Sequence, residues 1–136
     1  MWTSIATFTR TNHAVTGLWL QAHELLPTTQ IIRLEASGSW SCFGPGIPAC
    51  GPRGHLHLNI SSDQLIQPKS PPGALIGKLG GSDSAQEDGT VFAIGEFCVI
   101  GPLEKRVPLF VSVNGAWRTG ALTFASLGLS ISVTAP

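Results

Sequence analysis

Two histidines, His55 and His57, stand two residues apart in the stretch G-H-L-H-L-N-I, and their types and spacing could support binding chemistry. If residues 54–60 form a β-strand, the side chains alternate and both imidazoles lie on one face. Such a pair could contact a polar ligand or hold a metal ion, but a metal site needs a third ligand, and Asp63 is the only carboxylate close by in sequence. The alternative is a pair of solvated surface histidines.

A second candidate set follows Asn114 and Gly115, where Trp117 and Arg118 lie in a predicted loop. An exposed Trp ring offers a flat apolar face to the C–H side of a sugar, and Asn and Arg side chains can hydrogen-bond its hydroxyl groups. The alternative is that Trp117 packs onto the end of the protein, because aromatic side chains bury readily.

No catalytic set emerges from the sequence. Ser39 and Ser41 have no glycine elbow around them, and no glycine-rich phosphate loop precedes a helix. Six of the eight acidic residues are scattered over predicted loops and form no catalytic pair: Asp63, Asp83, Glu87, Asp88, Glu96 and Glu104. We therefore expect a protein that is not an enzyme.

The three cysteines, Cys42, Cys50 and Cys98, do not have the spacing of a structural zinc site. The loop between Cys42 and Cys50 is rich in glycine and proline, so it could fold back and close through a disulfide. The alternative is three reduced thiols, as is usual for proteins made without a secretory signal.

Composition excludes several function classes. The chain has 8 basic and 8 acidic residues and only 12% charged residues, so it offers no basic surface for nucleic acid. A length of 136 residues fits one domain over residues 1–136. No apolar run of about 18 residues is present, which argues against a membrane span. Polar residues rather than a basic and apolar segment follow Met1, so we expect a cytoplasmic protein or one exported without a secretory signal peptide.

Alternating apolar and polar residues predict short strands and no helix. Residues 29–40 place Ile32, Leu34 and Ala36 on one face, as in a half-buried antiparallel strand. Residues 74–79 are apolar on both faces and predict an interior strand, in which Gly77 lets another backbone or a ligand approach closely. The other predicted strands, with a turn at 11–13, are 2–10, 15–21, 54–60, 90–95, 97–100, 107–113, 121–125 and 127–134.

This succession of strands, separated by glycine and proline, predicts an all-β fold: a single-domain, antiparallel, jelly-roll-like β-sandwich. Trp19 and Trp40 are expected in the core or at an interface, because they lie on regular strands. Low charge, four tryptophans and apolar residues left over on the strands predict a homo-oligomer.

Five segments, taken in order, resemble one family. They are T-G-L at 16–18, E-A-S-G-S-W at 35–40, P-G-A-L-I-G-K-L-G at 72–80, F-A-I-G at 92–95 and L-F-V-S-V-N at 109–114. Together they are similar to the bacterial galactophilic lectins of the LecA (PA-IL) type, and the block at 72–80 is the most specific. The resemblance implies a small jelly-roll β-sandwich that binds galactose-type or related glycans without catalysis, commonly as an oligomer.

The resemblance also implies a calcium ion that bridges protein and sugar. In this sequence Phe43 could supply a backbone carbonyl ligand and Asn114 a further ligand, but Gly115 stands where the family has an Asp. Residues 116–126 also lack the family's two adjacent Asn residues, so the implied calcium ligand set is incomplete. The family further uses a His and a Gln, residue types supplied here by His57 and Gln64. The predicted sugar-binding residues are His55, His57, Gln64, Asn114, Trp117 and Arg118.

A second class of function stays open at this point. Gly115 and the missing Asn pair are equally expected of a structural or protein-interaction β-sandwich that has lost its sugar site.

Overall fold

The computed structural model describes residues 2–17, 19–41, 48–58, 65–83, 88–115 and 122–135, with side chains described outside 10–17, 41 and 122–128. These ranges contain eight β-strands and no helix. The strands are β1 Thr3–Gly17, β2 Leu20–His23, β3 Ile32–Ser41, β4 Leu75–Leu79, β5 Thr90–Ala93, β6 Phe97–Ile100, β7 Leu109–Val113 and β8 Leu122–Ala135.

The strands form two four-stranded antiparallel sheets that pack against each other. One sheet has the order β1-β8-β3-β6 and the other the order β2-β7-β4-β5. Each sheet thus interleaves strands from both halves of the chain, which is the arrangement of a jelly roll. The predicted all-β, antiparallel, jelly-roll-like β-sandwich is confirmed.

The core lies between the two sheets and follows the predicted alternation. In β3, Ile32 and Leu34 are fully buried, while Glu35, on the other face of the strand, is exposed. Trp19 and Trp40 are buried as expected. Strand β4 is buried on both faces, which confirms the interior strand predicted over 74–79.

The two terminal strands are longer than predicted. Strand β1 continues through the predicted turn at 11–13, and β8 is one strand rather than two. The two strands pair with each other from Thr3 opposite Ala135 to Gly17 opposite Leu122, and register shifts near Thr11 and His13 absorb the irregular sequence. The turn prediction was wrong because β-bulges let a paired strand pass a stretch of turn-type residues without ending.

The β1–β2, β3–β4 and β7–β8 connections leave the sandwich at the same end, and the β5–β6 connection crosses between the two sheets on that side. Strands β3 and β8 are antiparallel neighbours, and so are β4 and β7, so the β3–β4 and β7–β8 connections emerge together. The β1–β2 connection joins them there, because Gly17 lies opposite Leu122 and Leu20 opposite Val111. We call this the loop end and describe it by residues 48–58, 65–74 and 114–115.

Candidate functional site

A groove with a volume of about 470 Å³ opens at the loop end. We call it the loop-end groove, and both predicted histidines line it. Its wall consists of Pro48, Ala49, Cys50, Gly51, Gly54, His55, Leu56, His57 and Leu58.

Behind the residues that line this groove lies a hydrogen-bonded cluster around Gly73, which contacts the lining residues Cys50 and His55 through Gly73 and Pro72 and which we call the groove floor. The indole nitrogen of Trp40, which has no exposed surface, donates to the Gly73 carbonyl at 2.8 Å. Trp40 and Cys50 exchange two backbone hydrogen bonds of 2.9 Å, so the end of β3 holds the start of the groove wall. Gly73 itself has a φ of 80°, a conformation that favours glycine.

Asn114 joins a third segment to this cluster. Its backbone accepts a hydrogen bond from the Gly73 amide at 2.8 Å and donates one to the Ala74 carbonyl at 2.8 Å. Its side-chain oxygen accepts from the Gln67 amide at 2.8 Å. Its side-chain nitrogen donates to three backbone carbonyls within 3.1 Å, those of Gln67, Ser70 and Pro71. The fully buried Asn114 therefore fixes the connection that supports the groove.

The groove wall is a turn followed by irregular chain, not the strand predicted over 54–60. Gly54 donates to the Gly51 carbonyl at 2.9 Å, and His55 donates to the Pro72 carbonyl at 2.7 Å. Gly54 has a φ of 78°, and a Cβ there would come within 2.6 Å of the Ala74 nitrogen. The strand prediction was wrong over 54–58 because these backbone groups bond to turns rather than to a neighbouring strand.

The same turn changes which side chains face solvent. If residues 54–60 formed a strand, Leu56 would lie on the face opposite the histidines, but Leu56 lines the same groove and is 62% exposed. His57 is also exposed, while His55 is half-buried. The groove thus combines two imidazoles with an apolar side chain. Sequence reasoning missed Leu56 as a groove residue. The signal that could have found it is Gly51-Pro52-Arg53-Gly54, which has the Pro of a β-turn and argues against a strand that starts at residue 54.

The structure brings some of the predicted site residues together. His55 and His57 line the groove, and Asn114 lies behind its floor. A ligand role for Asn114 stays a prediction, and it would require exchange of the hydrogen bonds that its buried amide already makes. Phe43, Gln64, Trp117 and Arg118 lie outside the described residues.

The described residues supply only part of a calcium ligand set at Asn114. Calcium takes six to eight oxygen ligands, usually with carboxylates among them. Both oxygens of Asn114 already accept backbone hydrogen bonds at 2.8 Å, and Gly115 brings no carboxylate. Within the ranges that the structure describes, no group of three or more His, Cys, Asp or Glu residues could hold a metal ion.

A comparison with protein-family models and with curated proteins finds no match. The likeness to LecA-type lectins therefore depends on the five sequence segments. Among the described residues no helix is long and apolar enough to cross a membrane.

At the opposite end of the sandwich lies an ion pair between the buried Lys78 and the partly exposed Asp88, which the sequence analysis did not find. The Lys78 ammonium group, with no exposed side-chain surface, contacts the Asp88 carboxylate at 2.7 Å. The other Asp88 oxygen accepts from the amide and the hydroxyl of Ser82, both at 2.7 Å. The only sequence signal was a lone Lys in an otherwise apolar strand, with an Asp in the loop that follows.

Proposed function

We propose that this protein is a carbohydrate-binding domain that recognises galactose-type or related glycans, without catalysis, at the loop-end groove. One observation carries the proposal: three of the five lectin-like segments converge on the groove floor. Trp40 comes from the segment at 35–40, Gly73 from that at 72–80 and Asn114 from that at 109–114. The most specific part of the resemblance therefore builds the support for the two histidines.

The chemistry of the groove suits a neutral, polyhydroxylated ligand. Imidazoles of His55 and His57 can donate to and accept from sugar hydroxyls. The exposed Leu56 side chain offers an apolar surface to the C–H face of a sugar ring. In this proposal Trp117 adds a stacking surface, Gln64 and Arg118 add hydrogen bonds, and Asn114 holds the floor in position.

Recognition of this kind does not depend on a calcium bridge. Each neutral hydrogen bond contributes only about 0.5 to 1.5 kcal/mol net, so one groove should bind a monosaccharide weakly. Useful avidity would then come from several grooves in one homo-oligomer, which we propose as the functional form.

A glycan array with purified protein, with and without calcium, tests the function. We expect binding to galactose-terminated glycans that persists in a chelator. The absence of binding to any glycan would overturn the proposal and favour the alternative of a protein-interaction β-sandwich, for which Gly115 in place of an Asp argues.

Calorimetry with a galactoside then tests the site. His57→Ala should weaken binding about fivefold, which corresponds to the loss of one hydrogen bond of about 1 kcal/mol. His23→Ala is the matched control, because His23 lies opposite Leu109 at the other end of the sandwich. Galactoside binding that a chelator abolishes and that His57→Ala leaves unchanged would show that the site is elsewhere and depends on calcium.

A further inference from the structure

Strand β6 lies at an edge of its sheet and has an apolar exposed face. Its neighbour on one side is β3, and on the other side no strand of the described structure pairs with it. Phe97 is 56% exposed and Val99 52% exposed. The strand sequence F-C-V-I contains neither a charged residue nor a proline, the usual features that protect an edge strand from pairing.

The backbone register shows which groups of β6 face outward. The backbone carbonyl of Glu96 accepts a hydrogen bond from the Ala36 amide at 2.9 Å, so the backbone polar groups of Glu96 point toward β3. Residues of an antiparallel pair alternate between hydrogen-bonded and non-hydrogen-bonded positions. The backbone amide and carbonyl of Cys98, opposite Leu34, therefore also point toward β3. The backbone amides and carbonyls of Phe97 and Val99 point to the open edge.

We propose that β6 pairs with β6 of a second copy of this chain, antiparallel and around a two-fold axis that passes beside Cys98. In this register Phe97 lies opposite the partner's Val99, and Val99 lies opposite the partner's Phe97. The four outward amides and carbonyls of each strand are then paired, and the two exposed apolar side chains of each copy cover each other. The β1-β8-β3-β6 sheet of one copy and the same sheet of the second copy then form one eight-stranded sheet.

Neighbouring registers leave Phe97 or Val99 without an apolar cross-strand partner. A shift that centres the axis on Phe97 sets Val99 opposite Gly95, whose amide already donates to the Leu75 carbonyl at 3.0 Å. A shift in the other direction sets Phe97 opposite Gly101, which has no side chain to pack against the ring. Only the register around Cys98 gives both apolar side chains a cross-strand partner.

The charges beside β6 are compatible with a second copy as the occupant. On β3, Arg33 lies opposite Val99 and Glu35 opposite Phe97. The two-fold axis places Glu35 of one copy and Arg33 of the other at the two ends of each apolar row. Within each copy Arg33 and Glu35 already pair at 3.1 Å, so no like charges face each other across the interface. The chain has a formal net charge of zero, so two copies do not repel each other at long range.

The proposed register makes a specific geometric prediction for Cys98. The two Cys98 residues form a non-hydrogen-bonded pair, in which Cα atoms lie about 4.5 Å apart. A disulfide can span that distance. Burial raises the pKa of the Cys98 thiol, so alkaline pH favours the thiolate that forms the disulfide.

Light scattering on the full chain tests the interface. We expect a dimer, or a larger assembly built from dimers, of the 14.3 kDa chain, and Val99→Lys should halve its mass. Ile5→Lys puts the same charge on β1 at the other edge of the same sheet and should leave the mass unchanged. A wild type that is monomeric at every concentration, or a Val99→Lys variant with the wild-type mass, would overturn the proposal.

Cross-linking gives a readout that does not depend on a folded variant. Diamide takes two electrons and two protons from two thiols and leaves a disulfide. We expect a covalent dimer in which peptide mass spectrometry finds Cys98 bonded to Cys98, and Cys98→Ser should remove this species. An oxidised wild type without that linkage contradicts the register.

Discussion

Lys78 carries its charge at a position of β4 that solvent does not reach. Besides Asp88 it contacts the rings of Trp19 and Phe110, with the ammonium nitrogen 5.0 and 5.1 Å from their centroids. A buried ammonium group is stable only where partners replace its hydration. Asp88 also accepts hydrogen bonds from the amide and hydroxyl of Ser82, so Lys78, Ser82 and Asp88 hold the two described parts of the β4–β5 connection together.

This ion pair predicts a loss of stability in acid. Hydrogen bonds from Lys78 and then Ser82 lower the pKa of Asp88 from 3.8 to about 2. A lowered carboxylate pKa stabilises the folded state above pH 3.8, and this contribution disappears as the pH falls through about 2. The wild-type urea midpoint should fall more over this range than that of Asp88→Asn. Equal decreases in the two proteins would show that the pair does not couple to folding.

Asn114 is the second residue whose contacts predict a measurable effect. Asn114→Ala leaves buried backbone groups of Gln67, Ser70 and Pro71 without their partner. Since each unpaired buried group costs about 1 to 3 kcal/mol, we expect the free energy of unfolding to fall by about 3 kcal/mol. Gln30→Ala removes an exposed amide and should change it by less than about 0.5 kcal/mol. Similar values for both variants in chemical denaturation would contradict the role given to Asn114.

At the scale of the elements, β4 and β5 fit together through a glycine. Gly77 lies opposite Phe92, and the Phe92 ring covers the space that a side chain would occupy. A Cβ on Gly77 would lie 2.6 Å from the Phe92 ring and 2.8 Å from Ile94. The close approach predicted at Gly77 is therefore made by the neighbouring strand.

Gly77→Ala should destabilise the protein by overpacking, because Phe92 and Ile94 must move. Such substitutions typically cost about 1 to 3 kcal/mol. Gly101→Ala is the control, since nothing lies within 4 Å of a Cβ at that position. In thermal unfolding, we expect a lower midpoint for Gly77→Ala and an unchanged midpoint for Gly101→Ala. An unchanged midpoint for Gly77→Ala would mean that β4 and β5 adapt without loss of stability.

At the scale of the whole molecule, the first and last strands of the chain are neighbours in one sheet. Strand β8 lies between β1 and β3, so it is a central strand, and it contributes the fully buried Ile131 and Val133 to the core. The pairing of β1 with β8 cannot form until nearly the whole chain is present.

A chain truncated after residue 126 should therefore fail to fold, because it loses most of the central strand and part of the core. Circular dichroism and urea titration would show no cooperative transition. Removal of residues 1 and 2 is the control, since Trp2 precedes β1 and is 41% exposed. A cooperative transition in the longer truncation would contradict the central role of β8.

The sequence predicted those features that local periodicity determines. Alternation identified the buried face of β3, and the continuous apolar run identified β4 as an interior strand, because side chains of a strand alternate whatever its partner is. The same rule placed both histidines at one surface, and they do share a groove, although the chain there forms no strand.

Tertiary contacts decided what local pattern does not contain. The turn at 51–54 and the backbone bond from His55 to Pro72 set the exposure of Leu56, and Pro72 lies 17 positions along the chain. The burial of Lys78 depends on Asp88, Trp19 and Phe110, and the role of Asn114 depends on carbonyl groups more than forty positions away. A strand pattern specifies which face is apolar, but the hydrogen-bond partner of each polar group is chosen only when distant segments meet.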